Sequence, residues 1–210
     1  MQINQFIYLL IPLIMNYLAH AYLSFGIPDI LTGNMISDFV KGKTQLLHTP
    51  AVQKGIMLHR DIDTFTDNHP QVKSAKEYFR KDYRLYSGAF VDVAFDHFVA
   101  TDSTNFLSPA YLKQFTIGVY DHLIMNRLSL PERFQQILPY MVEQDWLYNY
   151  SAMWGIQKSF EGLVRRAAFI DDSSAAYRIF VENYEQLKNH YTGFFPELKK
   201  FVSEALTGIK

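Results

Sequence analysis

The sequence predicts an all-α protein, organised as a single-domain helical bundle. Apolar residues recur at helical spacing almost throughout, and no run of alternating apolar and polar residues is long enough to predict a β-sheet. With 210 residues, 49% of them hydrophobic, the chain can bury one sizeable core without disulfides or a partner. No linker, low-complexity tract or repeat divides it. We expect one domain over residues 15–210, preceded by an extension or an over-called translation start at residues 1–14.

Ten helices are predicted from the apolar spacing. In chain order they cover residues 15–24, 29–40, 51–67, 70–86, 88–101, 109–127, 131–149, 154–169, 173–191 and 195–207. The firmest starts are Thr49 before Pro50 and Ser108 before Pro109. Each pair places a hydroxyl acceptor ahead of a proline, which the first helical turn tolerates. Pro139 should kink or split the 131–149 segment, because its ring removes a backbone donor.

The composition excludes several classes of function. Lys and Arg number 20 and Asp and Glu number 21, so no global field draws the chain to nucleic acid or to a membrane surface. The lack of cysteine excludes disulfides, thiolate metal sites and a cysteine nucleophile. The apolar run from Phe6 to Ile14 contains Pro12 and is shorter than the roughly 20 residues of a spanning helix. We therefore expect a cytoplasmic protein with no nucleic-acid or membrane partner.

Histidine and acidic residues on apolar helices are the candidate functional groups. In the segment GIMLHRDIDTFTDNHP, His59 and Asp63 are four residues apart and project from one helical face. That spacing suits two metal ligands, and the alternative is a hydrogen-bonded pair on a surface helix. Asp61 points roughly the opposite way and should face solvent, whereas Asp67 should cap or support the next turn.

A second pair, Asp96 and His97, lies in VDVAFDHFVA, which otherwise consists mainly of large apolar residues. A divalent cation could neutralise an acid and an imidazole in such a buried helix. Asp92 shares the face of Asp96, and three roles remain open for it: a ligand, a partner of a ligand, or an acid favoured by the helix dipole.

Two further candidates lie earlier in the chain. Asp38, in GNMISDFVKG, is near the end of a short helix, where an acid opposes the helix dipole. Hydrogen bonds from a neighbouring helix are its alternative explanation. His20, in MNYLAHAYLS, is the last, and a lone histidine on an apolar helix is more often a hydrogen-bonded core residue. Together the four segments supply nitrogen and oxygen donors suited to Mn, Fe, Zn or Mg.

The segments MNYLAHAYLS, GNMISDFVKG, GIMLHRDIDTFTDNHP and DVAFDHF resemble, in order and spacing, the acyl carrier protein phosphodiesterases. That family is related to the HD-domain phosphohydrolases, so the resemblance implies an HD-domain-like fold. The likeness runs from about Met15 to the C-terminus, and after Phe98 it rests on WLYNY and GLVRR. Asp96 precedes His97 here, which departs from the usual His-Asp order of HD enzymes.

The resemblance also implies an activity and its cofactor. The reaction is hydrolysis of the phosphodiester that joins phosphopantetheine to a serine of acyl carrier protein. The implied cofactor is a divalent metal, with Mn²⁺ first and Mg²⁺ or Fe²⁺ as alternatives. The expected metal ligands are His20, Asp38, His59, Asp96 and His97. The expected catalytic residues are Asp38, His59 and Asp63, the last to orient a ligand or accept a proton from water.

Because carrier proteins are acidic, recognition should fall on a local basic patch. The substrate-binding candidates are Lys41, Arg60, Arg165 and Arg166, with Lys43, Lys73, Lys76 and Arg80 as further cations on predicted helices or turns. Two other functions stay open. One is an HD-type hydrolysis of a nucleotide or other small phosphoester with the same metal. The other is a catalytically silent helical binding module.

Overall fold

Every regular element is helical within the described residues of this computed structural model, which are 17–167, 169–170 and 172–207. The α-helices are α1 (Tyr17–Tyr22), α2 (Pro28–Ile36), α3 (Pro50–Asn68), α4 (Pro70–Tyr83), α5 (Ser87–Thr101), α6 (Pro109–Met125), α7 (Glu132–Glu143), α8 (Trp146–Asn149), α9 (Met153–Arg166), α10 (Ser174–Glu182) and α11 (Tyr184–Thr207). Short 3-10 helices cover Ser37–Phe39, Gly42–Leu47, Arg84–Tyr86 and Arg127–Ser129. The all-α prediction is confirmed. The expected extension at residues 1–14 and the predicted start of the first helix lie outside the described residues.

The two firmest helix starts are confirmed, one of them with its cap. The Thr49 hydroxyl accepts a hydrogen bond from the Val52 amide at 3.3 Å, and Pro50 opens α3. Pro109 opens α6, but the Ser108 side chain forms no capping bond there. The position of proline in the first turn therefore predicted both boundaries, and the hydroxyl contributes to only one of them.

Two predicted helices end elsewhere than expected. The 131–149 segment does divide, but Pro139 lies inside α7 and the break follows Glu143, where Asp145 takes a φ of 50°. The predicted helix over 173–191 divides at Asn183, and the predicted break between residues 191 and 195 is wrong, because α11 continues through Pro196. Its neighbours Phe194, Phe195 and Leu198 are all buried. Their burial outweighs the hydrogen bond that proline removes.

Helix α5 lies at the centre of the fold. It packs against α1, α4, α9 and α11, and most of its side chains are buried. An apolar surface all round a helix is typical of such a central position. Among the described residues, no helix combines the length and the apolar character needed to cross a membrane.

The backbones of helices α2 and α3 lie in close contact at Gly33 and Gly55. A Cβ atom on Gly33 would lie 2.1 Å from the Val52 carbonyl oxygen, and one on Gly55 would lie 2.4 Å from the Ile30 carbonyl oxygen. Only glycine fits at these two positions. The contact draws the residues that follow them, Asn34 on α2 and His59 on α3, into direct hydrogen-bonding range.

Candidate metal centre

Two buried imidazoles, from His20 on α1 and His59 on α3, stack against each other. Their ring centroids are 3.9 Å apart and the planes differ by 17°. A single residue orients both rings: Nδ1 of His20 lies 2.7 Å from the Asn34 side-chain oxygen, and Nδ1 of His59 lies 2.7 Å from the Asn34 carbonyl oxygen. The two Nε2 atoms therefore face the same carboxylate, that of Asp63.

The hydrogen-bond partners determine which ring nitrogen carries the proton. The Asn34 carbonyl oxygen can only accept, so Nδ1 of His59 donates. The Asn34 amide nitrogen donates to the His20 carbonyl at 2.8 Å and to the Ser24 hydroxyl at 3.2 Å, so its oxygen accepts from Nδ1 of His20. In the neutral imidazoles each Nε2 then presents a lone pair, which is the form that binds a metal ion.

Two half-buried carboxylates complete the cluster. Asp63 places one oxygen 3.3 Å from Nε2 of His20 and the other 3.3 Å from Nε2 of His59. An Asp38 oxygen lies 3.3 Å from the same His59 nitrogen. His20, His59 and Asp63 each contribute one donor atom, and these three atoms lie within 4.8 Å of one another. With bonds of about 2.0–2.2 Å to nitrogen and oxygen ligands, one divalent cation fits between them.

The electrostatics of the cluster favour one positive charge at its centre. Burial lowers the pKa of His59, but the Asp38 and Asp63 carboxylates outweigh burial and raise it to about 10. Burial and the charge of His59 lower the pKa of His20. Burial tends to raise the pKa of Asp63, yet the two histidines hold it well below its usual range. Within the described chain, both buried Nε2 atoms lack a hydrogen-bond partner. These residues therefore fit a divalent metal.

Asn34 is the site residue that sequence reasoning missed. It is fully buried and is hydrogen-bonded to both histidines. A signal was present, since Asn34 lies four residues before Asp38 in an otherwise apolar segment. An amide in such a position needs several partners to be buried without cost.

Asp96 and His97, expected as metal ligands, lie outside the cluster. The Asp96 carboxylate accepts hydrogen bonds from the Leu18 amide at 3.1 Å and the Ala19 amide at 2.8 Å, at the start of α1. His97 donates from Nδ1 to the Tyr150 carbonyl at 2.7 Å, and its Nε2 is 2.9 Å from the Tyr184 hydroxyl. Backbone amides are thus the partners of Asp96, and a backbone carbonyl and a phenol are those of His97.

The charges of the cluster affect the pKa of Asp92, an acid on α5. Burial raises its pKa to about 8, and the negative charges of Asp63, Asp67 and Asp38 act in the same direction, against Lys76. Asp61 is exposed, as the sequence predicted, and Asp67 supports α4 through an ion pair of 2.7 Å with Lys76. The helical face that carries Asp92 therefore leads toward the site.

The basic candidates differ in exposure and in their partners. Lys41 is exposed just after Asp38, and Arg60 donates to the Gln45 side chain at 2.8 Å and to the Val40 carbonyl at 3.3 Å. Arg165 is exposed and lies 3.4 Å from Glu161. Lys76 and Arg80 are engaged in ion pairs with Asp67 and Glu77.

Arg166 is half-buried and acts on a buried phenol, Tyr17. Burial raises the Tyr17 pKa above its ordinary value, with Asp38 adding to the effect and Arg166 opposing it. The Tyr17 hydroxyl has no hydrogen-bond partner in the described part of the chain. The charges of Arg166 and Asp38 therefore act on the same phenol in opposite directions.

The family model for acyl carrier protein phosphodiesterase matches residues 15–198 of the chain, which include every residue of the cluster. The acyl carrier protein phosphodiesterase of Serratia proteamaculans (strain 568) is 32% identical over 184 residues, covering 88% of this chain and 95% of that protein. The protein of the same name from Escherichia coli O6:H1 is 32% identical over 190 residues, 90% of this chain and 98% of that protein. The one from Yersinia pestis is 30% identical over 186 residues. No solved structure matches the chain.

Proposed function

Because the chain belongs to the acyl carrier protein phosphodiesterase family, we propose that it hydrolyses the phosphodiester joining 4′-phosphopantetheine to holo acyl carrier protein. The products are apo carrier protein and 4′-phosphopantetheine. The observation that carries the proposal is the cluster of His20, His59, Asp38 and Asp63, with two unbonded Nε2 atoms directed at carboxylates. Hydrolysis of a phosphodiester needs charge neutralisation at the phosphoryl oxygens and an activated water.

We propose Mn²⁺ as the cofactor, held by His20, His59, Asp63 and Asp38. When bound, a divalent ion supplies Lewis-acid stabilisation of the phosphoryl charge and lowers the pKa of water. Two imidazoles with two carboxylates suit Mn²⁺ or Fe²⁺ better than Mg²⁺, which usually accepts fewer nitrogen ligands. The support for this choice is the donor set, since Nδ1 of each histidine is engaged and each Nε2, once deprotonated, offers a lone pair beside carboxylate oxygens.

The protein's own groups have separable tasks in this proposal. Asn34 fixes the tautomer and tilt of both imidazoles through its side-chain and backbone oxygens. Asp63, half-buried and shared between the histidines, would orient the attacking water through its carboxylate oxygens. We assign to Arg166, whose charge acts on Tyr17 together with that of Asp38, the task of offsetting charge on the phosphodiester.

Two finer statements are part of the proposal. We place the fold among relatives of the HD-domain phosphohydrolases, supported by an all-helical chain that gathers histidines and aspartates from different helices. We also place the reaction in the cytoplasm and connect it to fatty acid synthesis, since acyl carrier protein is the proposed substrate.

The test is a mass measurement on the carrier. Incubation with holo acyl carrier protein and Mn²⁺ should convert the carrier to its apo mass, and chelator should prevent the conversion. A carrier mass unchanged with Mn²⁺, Fe²⁺ and Mg²⁺ in turn would contradict the proposal. Hydrolysis of nucleotides or other small phosphoesters without action on the carrier would favour the general HD-type activity instead. Unchanged stability in chelator together with no turnover would favour a binding module.

A further inference from the structure

Residues 40–60 form a stretch of unusual surface composition. They contain four cations, Lys41, Lys43, Lys54 and Arg60, and no aspartate or glutamate. The same stretch exposes large apolar side chains: Leu46 is 69% exposed, Leu47 83% and Met57 52%. Exposed apolar groups beside a cluster of positive charge are typical of a surface that binds a partner.

Hydrogen bonds hold this stretch along α3. At one end, Arg60 donates to the Gln45 side chain at 2.8 Å and to the Val40 carbonyl at 3.3 Å. At the other end, the Gln53 side chain donates to the His48 carbonyl at 2.7 Å. Residues 46 and 47 therefore run beside the part of α3 between positions 53 and 60, which includes Met57.

The surface borders the metal centre. Arg60 follows His59 directly, and Val40 comes two residues after Asp38. The Asp38 carboxylate lies 3.3 Å from Nε2 of His59. A protein bound at residues 41–57 would therefore lie next to the edge of the site at which Asp38 is half-buried. The prosthetic arm of that protein would enter the site from this edge.

We propose that an acidic protein surface with its own apolar residues, that of the acyl carrier protein, docks on the basic apolar surface formed by Lys41, Lys43, Leu46, Leu47 and Met57. The inference rests on the proposed function and adds the site where the carrier, rather than its prosthetic arm, is recognised. Charge decides between occupants. Among the described residues neither Lys41 nor Lys43 forms an ion pair, and a second copy that docks through the same surface about a twofold axis would oppose them with equal positive charge.

The test compares two double variants with the same chemistry. Lys43→Glu with Leu47→Asp changes the basic apolar surface. Lys81→Glu with Leu85→Asp changes an exposed lysine and a 99% exposed leucine, also four residues apart, on α4 and the turn after it. Both are assayed with holo acyl carrier protein and with bis(p-nitrophenyl) phosphate, a small diester that needs no docking surface.

We expect the first variant to raise KM for the carrier about tenfold, a difference of about 1.4 kcal/mol, with kcat and small-diester turnover within about twofold of wild type. The control variant should match the wild type on both substrates. Added salt should raise the wild-type KM and have less effect on the first variant, because screening removes the same attraction.

An unchanged carrier KM in the first variant would overturn the docking surface, as would an equal rise in both double variants or an equal loss on both substrates. A wild type that is a dimer and a first variant that is a monomer would also overturn the proposal, because the surface would then serve self-association. A wild-type protein that never releases phosphopantetheine contradicts the proposed function itself, and the two failures are thereby distinguished.

Discussion

The protein buries two histidines whose surroundings match at one ring nitrogen and differ at the other. His59 is 5% exposed and His97 is 2% exposed, and each donates from Nδ1 to a backbone carbonyl at 2.7 Å. The surroundings differ at Nε2. In His97 this nitrogen lies 2.9 Å from the Tyr184 hydroxyl. In His59 it lies 3.3 Å from the carboxylates of Asp38 and Asp63. Burial therefore does not distinguish the two histidines, whereas the partner of the second ring nitrogen does.

The difference also appears in the charge that each region tolerates. The carboxylates outweigh burial and raise the pKa of His59 to about 10. Burial lowers the pKa of His97, and the Tyr150 carbonyl offsets only part of that effect. The surroundings of His59 favour a positive charge, and those of His97 favour a neutral ring. Substitution of His59 should therefore affect mainly activity, and substitution of His97 mainly stability.

The largest expected effect is the loss of activity on His59→Ala. This change removes the imidazole that lies against both carboxylates. We expect it to lower the rate of phosphopantetheine release from holo carrier by at least about 10³-fold and to leave the helical circular dichroism intact. His97→Ala, the matched change in the second region, should retain most of the wild-type kcat in its folded fraction. Comparable losses of kcat in both variants would erase the distinction between the regions.

The next effect is on stability and reverses the order of the two variants. His97→Ala leaves a cavity and removes the hydrogen bond from Nδ1 to the Tyr150 carbonyl, so we expect urea unfolding to show a loss of about 2–4 kcal/mol. In chelator, His59→Ala should cost less, because Asp63 and Asp38 are half-buried and can take up water. A metal-free His59→Ala protein less stable than His97→Ala would show that the cluster is a structural element first.

Asn34→Ala should weaken metal binding without removing a ligand. It deletes the acceptor that orients His20 and keeps the backbone oxygen that orients His59. Loss of such a supporting partner typically lowers metal affinity about 10–100-fold. Titration with Mn²⁺ should show that fall, and saturating Mn²⁺ should restore much of kcat. Unchanged affinity would place the orientation of His20 elsewhere.

The smallest effects are opposite pH dependences in chelator. His59 has a raised pKa, so its stabilisation is complete below about pH 6.5 and is lost as the pH rises toward about 10. His97 has a lowered pKa, so its stabilisation is present above about pH 6.5 and is lost as the pH falls. The unfolding free energy of wild type minus that of His59→Gln or His97→Gln should follow these slopes, by at most about 1.4 kcal/mol per pH unit. Parallel slopes would contradict the assignment of charge.

The sequence predicted the helices well and the site in part, for identifiable reasons. Local spacing placed His59 and Asp63 on one face, and both reach the cluster. Asp96 and His97 share the same composition, but which helix meets which side chain depends on tertiary packing. That packing sends Asp96 to the α1 amides. The glycine contact that joins α2 to α3 lies outside any local pattern, so the role of Asn34 could not be predicted from spacing alone.

The central claim is that His20, His59, Asp38 and Asp63 enclose one divalent cation. Anomalous diffraction from crystals grown with Mn²⁺ tests it most directly. We expect one strong peak within about 2.0–2.3 Å of Nε2 of both histidines and of the Asp63 carboxylate. A peak beside His97, or none in a protein that hydrolyses the carrier in the same solution, would contradict the account.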